Sequence, residues 1–169
     1  MAFKTHSGIY TVKNPSKYEG DHTKVTYRSG WEKHAFKWAD GNPDVVKWSS
    51  EEVIIPYLYE VDKRYHRYFM DMKLVMASGR TFLVEIKPDK ETRIPTGSKN
   101  TRRYLTESFT YVKNINKWDA AREYAEERGW KFVIWTEKNE PLKSIIPKST
   151  KPLKPLGKTL KPFRKKRKK

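Results

Sequence analysis

Hydrophobic and polar residues alternate along residues 70–76 and again along residues 82–87. Alternation with a period of two is typical of half-buried β-strands. The two runs therefore predict the arms of a β-hairpin with one apolar face. That face holds Met70, Met72, Leu74 and Met76 from the first arm and Phe82, Val84 and Ile86 from the second.

The segment between the arms determines which residues lie opposite each other. Ala77, Ser78 and Gly79 predict a three-residue loop with Gly79 in the left-handed conformation. Such a loop places Asp71 opposite Glu85, whereas a two-residue loop would place them on opposite faces. We favour the three-residue loop because it keeps both apolar sets together. The other predicted cross-strand neighbours are Met76 and Arg80, Val75 and Thr81, and Lys73 and Leu83.

This register brings together residues that could perform chemistry. Like charges directly opposite on a sheet are destabilising, so a bound cation would relieve the repulsion between Asp71 and Glu85. Lys87 projects from the same face as Glu85. Two carboxylates can hold Mg²⁺, a hard cation that prefers oxygen ligands. Together with a neighbouring lysine, they predict metal-assisted phosphodiester hydrolysis. The alternative is a solvated strand face with a weak ion pair.

A helix is predicted before the hairpin, over about Gly30 to Ala39. Ser29 and Glu32 have the spacing of a capping box, and residues 40–43 end the helix. Glu32 is either only a capping residue or a third carboxylate directed at the hairpin. Two strands are predicted next, Val45 to Trp48 and Glu52 to Tyr57. A charged loop follows over Leu58 to Tyr65. Glu51 and Glu52 are interpreted as surface charges or a bulge.

After Pro88 and Asp89 end the second arm, residues 90–103 form a long basic connection that predicts either a DNA clamp or a solvated loop. Helical spacing runs from about Glu107 to Arg128 and stops at Gly129. A buried strand over Lys131 to Thr136 then predicts a parallel pairing in the sheet. The candidate DNA-binding residues of the folded part are Arg28, Lys99, Arg102, Arg103 and Lys117, although an exposed helix charge is the default interpretation of Lys117.

The net charge of +17 points to a polyanionic partner, most often nucleic acid. Eleven of the 37 basic residues lie in residues 147–169, which contain no acidic residue. This segment, which includes Arg164, Lys165, Lys166 and Arg167, predicts a disordered or extended tail that binds DNA, or else a nuclear-localisation signal. We divide the chain into an N-terminal arm (1–26), a core (27–140) and a basic Pro/Lys-rich tail (141–169). The arm either follows a DNA backbone or is a disordered or packed terminus.

Several classes of protein are disfavoured by what the sequence lacks. It has no cysteine, so disulfides and zinc–thiolate sites are excluded. Its four histidines show no metal-ligand spacing, and it has no Gly-rich phosphate loop, nucleophile elbow or HExxH motif. We expect no signal peptide and no membrane span, since no apolar run approaches about 20 residues.

The order of helix with Glu32, strand, strand with Asp71, strand with Glu85-x-Lys87, helix and strand resembles the PD-(D/E)xK nuclease superfamily. Met70 stands where the motif has Pro. More narrowly, the chain resembles the head completion nucleases of tailed phages, which are related to the TnsA transposon endonuclease. The segments that carry this resemblance are YRSGWE from Tyr27, WSSEEVIIPY from Trp48, HRYFMD from His66, FLVEIKP from Phe82 and KWDAAREYAEERGWKFVIWTEK from Lys117.

The resemblance implies a restriction-endonuclease-like α/β core with a mixed central sheet flanked by helices. It implies an active site of Glu32, Asp71, Glu85 and Lys87 that uses Mg²⁺ or Mn²⁺, with Glu32, Asp71, Glu85 and the Ile86 carbonyl as metal ligands. It also implies double-stranded DNA as substrate, and a role in the host cytoplasm in finishing DNA-filled heads beside portal or head proteins, with the virion as an alternative location. The competing hypothesis is a catalytically silent DNA-binding structural protein of the capsid or of a DNA end.

Overall fold

The computed structural model describes residues 7–147. The basic tail beyond Pro147, with Arg164, Lys165, Lys166 and Arg167, lies outside the described residues. The strands are β1 (Gly8–Ile9), β2 (Thr26–Tyr27), β3 (Val45–Ser49), β4 (Ile54–Tyr59), β5 (Arg64–Phe69), β6 (Met72–Met76), β7 (Thr81–Ile86) and β8 (Lys131–Trp135). The helices are α1 (Gly30–Gly41), α2 (Arg102–Glu126) and α3 (Leu142–Ile145), with 3-10 turns at Pro15–Lys17 and Asp89–Thr92.

The central sheet is mixed and has the strand order β3-β6-β7-β8. The predicted hairpin is its middle, with Lys73 opposite Leu83 and Val75 opposite Thr81. Gly79 has φ 82°, and its N–H donates to the Met76 carbonyl at 2.9 Å, so the three-residue loop is confirmed. β8 pairs with β7 in parallel, as the strand–helix–strand order predicted.

Helices cover both faces of this sheet, so the prediction of a half-buried hairpin is wrong. On one face Met72, Leu74 and Val84 pack with α1 and α3. On the other face Leu83 and Met70 pack with α2. Met70 therefore leaves the apolar set to which it was assigned, because the chain bends at Asp71 before β6 begins.

The N-terminal segment is packed against the core, the second of its two interpretations. Its β1 strand pairs with β2, and Tyr10, Val12 and Tyr18 are buried. The buried carboxylate of Asp40, near the end of α1, accepts hydrogen bonds from Lys13 N at 2.7 Å, Asn14 N at 3.1 Å and Tyr10 Oη at 3.2 Å.

A second, two-stranded sheet is formed by β4 and β5. The prediction of a charged loop over Leu58 to Tyr65 is wrong, since β4 continues to Tyr59 and only residues 60–63 form the turn. β5 was missed because its sequence, RYHRYF, places charged and aromatic residues on both sides of the strand without an aliphatic stripe. This β-ribbon packs against α2 through Ile55, Tyr57, Tyr59 and Tyr68.

The boundaries of α2 also differ from the sequence prediction. The helix begins at Arg102, five residues before Glu107, with Thr101 Oγ accepting from Tyr104 N at 3.2 Å. Arg102 and Arg103 are therefore in the helix and not in the connecting loop. Past residue 140, Leu142 of α3 is fully buried in the core. Within residues 7–147, no helix is long and apolar enough to cross a membrane.

Candidate active site

Asp71 and Glu85 come together where β6 begins and β7 ends. Met72 and Val84 are the last paired residues there, and Asp71 and Glu85 directly flank that pair. The Asp71 Oδ2 atom accepts a hydrogen bond of 2.7 Å from Ile86 N. Burial and the neighbouring charge of Glu85 raise the pKa of Asp71 well above its usual value. The predicted convergence of the two carboxylates is therefore present in the structure.

Glu85 is held by two neighbours. Its side chain is 4% exposed. The Tyr68 hydroxyl donates to Glu85 Oε2 at 2.6 Å, and Lys87 Nζ lies 3.4 Å from Oε1. Tyr68 was missed by the sequence analysis because β5 was missed. Had that strand been recognised, the alternation of side-chain direction along it would have placed Tyr68 on the buried face.

Lys87 lies beside Glu85, as the strand spacing predicted. Burial alone would lower the pKa of its ammonium group, but the charges of Glu85, Asp71 and Glu91 outweigh burial and raise that pKa. Its backbone N–H donates to the Trp135 carbonyl at 3.0 Å, which continues the β7–β8 pairing past Ile86. The backbone of the lysine is thus fixed by the sheet, and its ammonium group lies beside the carboxylate of Glu85.

Glu32 serves as a helix cap and also lies near the two carboxylates. Its N–H donates to Ser29 Oγ at 3.2 Å, and its carboxylate accepts from Arg28 N at 2.7 Å and Ser29 Oγ at 3.0 Å. Burial raises the pKa of Glu32, and its charge contributes to the raised pKa of Asp71. Both oxygens of the Glu32 carboxylate thus take part in the cap, and its role as a third carboxylate of the site stays a prediction.

Arg28 and Glu51 border the site as an ion pair. Arg28 Nε and Nη2 lie 2.8 and 3.2 Å from the two Glu51 carboxylate oxygens. Glu51 has φ 57°, a conformation that few non-glycine residues adopt, and its N–H donates to the Met70 carbonyl at 3.0 Å. The Arg28 side chain is still 70% exposed, so its predicted contact with DNA stays a prediction.

Lys117 approaches the site from α2 and does not lie on the open surface. Its Nζ lies 5.1 Å from the ring centroid of Tyr68 and 5.9 Å from that of Tyr57. Burial lowers the pKa of Lys117, although the charge of Glu85 opposes this. Sequence spacing alone did not show that this lysine faces the carboxylates, because the β-ribbon that supplies the tyrosines had not been predicted.

The other candidate DNA-binding residues lie at the start of α2 and before it. Lys99, Arg102 and Arg103 are exposed. Arg103 pairs with Glu107 at 2.9 Å and lines a groove of about 650 Å³ between α2 and residues 89–96. The structure gathers these residues on one side of the molecule without bringing them into the carboxylate cluster.

The donor set fits a small divalent cation. Within residues 7–147, no three Asp, Glu or His side chains form a metal-binding group by themselves. A metal here would therefore depend on the two carboxylates of Asp71 and Glu85, a backbone carbonyl such as that of Ile86, and water. Such an all-oxygen set suits Mg²⁺ or Mn²⁺.

Comparison with known proteins gives two matches. The family model described as "TnsA-like endonuclease N terminal" matches residues 42–137, which contain Asp71, Glu85 and Lys87 but not Glu32. The head completion nuclease of Enterobacteria phage T4 is 45% identical over 139 residues, which cover 78% of this chain and 91% of that protein.

Proposed function

The chain belongs to the TnsA-like endonuclease family, and from this premise we propose that it is a metal-dependent DNA endonuclease that acts in phage head completion. Its mixed sheet flanked by helices is the PD-(D/E)xK-type core of that family. The observation that carries the proposal is the cluster at the end of β7, where Asp71 receives the Ile86 N–H and Glu85 is held by Tyr68 and Lys87.

Asp71, Glu85 and the Ile86 carbonyl would hold Mg²⁺ or Mn²⁺. When bound, the ion lowers the pKa of a coordinated water and offsets the charge of the scissile phosphate. Tyr68 keeps the Glu85 carboxylate in one orientation through its 2.6 Å hydrogen bond. Such partners of metal ligands fix the geometry of the ligands and tune their basicity.

The two lysines supply positive charge to the reacting phosphodiester. Lys87 orients the attacking water and stabilises the charge that develops on the phosphate in the transition state. Lys117, held over the rings of Tyr57 and Tyr68, binds a phosphate oxygen of the same strand. The ammonium groups thus compensate the phosphate while the carboxylates retain the metal.

The substrate and setting follow from the family and from the charge of the chain. The 45% identical relative is named a head completion nuclease, so we place this enzyme in the host cytoplasm during assembly, beside portal or head proteins, and in the finished virion. Double-stranded DNA is the substrate that this role presents. The net charge of +17 favours DNA binding without specifying sequence.

Nicking of supercoiled plasmid with and without Mg²⁺ tests the proposal. We expect the wild-type chain to nick only with Mg²⁺ or Mn²⁺, Asp71→Asn to abolish nicking, and Lys87→Ala to slow it by about 10²–10³-fold. Asp62→Asn is the matched control, because Asp62 lies in the ribbon turn and pairs with His66 at 2.8 Å.

Two results would overturn the proposal. One is full nicking by the Asp71→Asn chain. The other is tight plasmid binding by the wild-type chain without cleavage under any divalent cation, which would favour a DNA-binding structural protein on an inactive nuclease core.

A further inference from the structure

The β-ribbon formed by β4 and β5 has a second face that the fold does not cover. Three cross-strand pairs form it: Ile54 with Phe69, Pro56 with Arg67, and Leu58 with Tyr65. All six side chains are exposed. We call this set of six residues the outer ribbon face.

The side chains of the outer ribbon face are not part of the core. The alternate residues Ile55, Tyr57, Tyr59 and Tyr68 already bury the inner face of the ribbon against α2. The five apolar members of the outer face nevertheless remain open, with Tyr65 76% and Ile54 44% exposed, and Val61 in the adjoining turn is 49% exposed. Contiguous exposed apolar surface of this kind marks an interaction site.

The only charge among the six residues specifies the kind of partner. Arg67 lies at the middle of the face, with its guanidinium 5.6 Å from the ring centroid of Phe69. No carboxylate within residues 7–147 pairs with Arg67. At the turn end of the ribbon, Glu60 and Asp62 balance the charges of Lys63 and Arg64, so Arg67 is the charge that distinguishes the outer ribbon face. A complementary surface is therefore apolar at its centre and carries a carboxylate opposite Arg67.

We propose that the outer ribbon face is the surface by which this nuclease docks on a protein of the DNA-filled head, a protein that presents an apolar patch with acidic residues. The inference rests on the proposed function and names the kind of protein to which the nuclease binds. Tyr68, between Arg67 and Phe69 in β5, projects to the other side of the ribbon and donates to Glu85. Docking through the outer ribbon face therefore leaves the catalytic cluster, on the other side of the ribbon, free of contact with the head protein.

Two other occupants fit the face less well. Duplex DNA presents phosphates and sugar, for which Ile54, Pro56 and Leu58 offer no hydrogen bond or charge. A second copy of the chain would add its own charge of +17 and bring Arg67 toward basic residues around the same two-fold axis. An acidic protein surface satisfies both the apolar residues and the arginine.

The test is cosedimentation with DNA-filled heads purified from an infection that lacks this protein. The chains to compare are wild type, the double variant Leu58→Ser/Tyr65→Ser and the single variant Arg67→Glu. Leu105→Ser, which removes another exposed aliphatic side chain at the start of α2, is the matched control. Plasmid nicking, duplex binding and sedimentation equilibrium are measured on the same preparations.

We expect wild type and Leu105→Ser to cosediment with heads, and both ribbon variants to bind about tenfold or more weakly while they nick plasmid at the wild-type rate. Wild-type chain that nicks plasmid but does not cosediment, or ribbon variants that cosediment like wild type, would overturn the docking proposal and leave the nuclease proposal intact. Weaker duplex binding by the ribbon variants would assign the face to DNA, and a wild-type dimer that they dissociate would assign it to a second copy; either result overturns the proposal.

Discussion

Glu85 shows how single residues prepare the site. It is a buried carboxylate with a tyrosine hydroxyl on one oxygen and a lysine ammonium on the other. Because Asp71 is held by the Ile86 N–H beside it, the two acids keep their places without relying on solvent. The burial that raises the pKa of Asp71 also strengthens its attraction for a cation, since both follow from the cost of an isolated buried negative charge.

Replacing Tyr68 by Phe tests the role of this hydroxyl as a positioning group. We expect plasmid nicking at low Mg²⁺ to fall by about 10–100-fold, as for other partners of metal ligands, and to recover in part at high Mg²⁺. Tyr57→Phe is the matched control, because Tyr57 is an equally buried tyrosine of the same ribbon. An unchanged Mg²⁺ dependence in Tyr68→Phe would show that the hydroxyl only fills space.

At the scale of elements, α1 connects the core to the site. Its first turn carries Glu32 toward Asp71, while its last turn carries Asp40 into the N-terminal segment. The Lys17 ammonium donates to the carbonyls of Ala39, Asp40 and Asn42 at 3.1, 3.0 and 2.7 Å and so caps the end of the helix. Packing of the N-terminal segment therefore fixes the helix that carries Glu32.

Asp40→Ala should lower the free energy of unfolding by about 3 kcal/mol, because it leaves the N–H groups of Lys13 and Asn14 without their acceptor. Urea denaturation followed by tryptophan fluorescence measures the loss. Asp44→Ala, an exposed position after the same helix, is the control and should change the free energy by less than about 0.5 kcal/mol. Equal losses in the two variants would contradict the role assigned to Asp40.

Local sequence patterns predict some of these elements and their site residues but not others. The hairpin, its turn and the placement of Asp71, Glu85 and Lys87 followed from alternation and one glycine. Tyr68 and Lys117 could not be placed that way, since both reach the cluster only when the β4–β5 ribbon packs against α2. In β5, charged and aromatic residues occur on both sides of the strand, and hydrophobic patterning does not distinguish such a sequence from a charged loop.

For the whole molecule, charge is concentrated outside the described residues. Residues 147–169 contribute eleven of the 37 basic residues and no acidic one, so the rest of the chain has a net charge of only +6. We therefore expect non-specific DNA affinity to depend mainly on the tail, through release of counterions from phosphates. The nuclease cluster, by contrast, lies entirely within the described part of the chain.

A chain that ends at Ile146 should keep its fold and its metal-dependent chemistry, because α3 and its buried Leu142 are retained. We expect duplex binding to weaken and the slope of log K against log salt to flatten by about 0.9 for each lost phosphate contact. Fluorescence anisotropy over a salt series measures both. A slope identical to that of the full chain would show that the tail does not contact DNA.

The most direct measurement of the catalytic site is anomalous scattering from crystals of the full chain soaked in Mn²⁺. We expect one strong peak between the carboxylates of Asp71 and Glu85, within bonding distance of the Ile86 carbonyl, and no peak there in Asp71→Asn crystals. Absence of that peak at a Mn²⁺ concentration that supports plasmid nicking, or a peak only at other acidic residues, would contradict the assignment of the metal site.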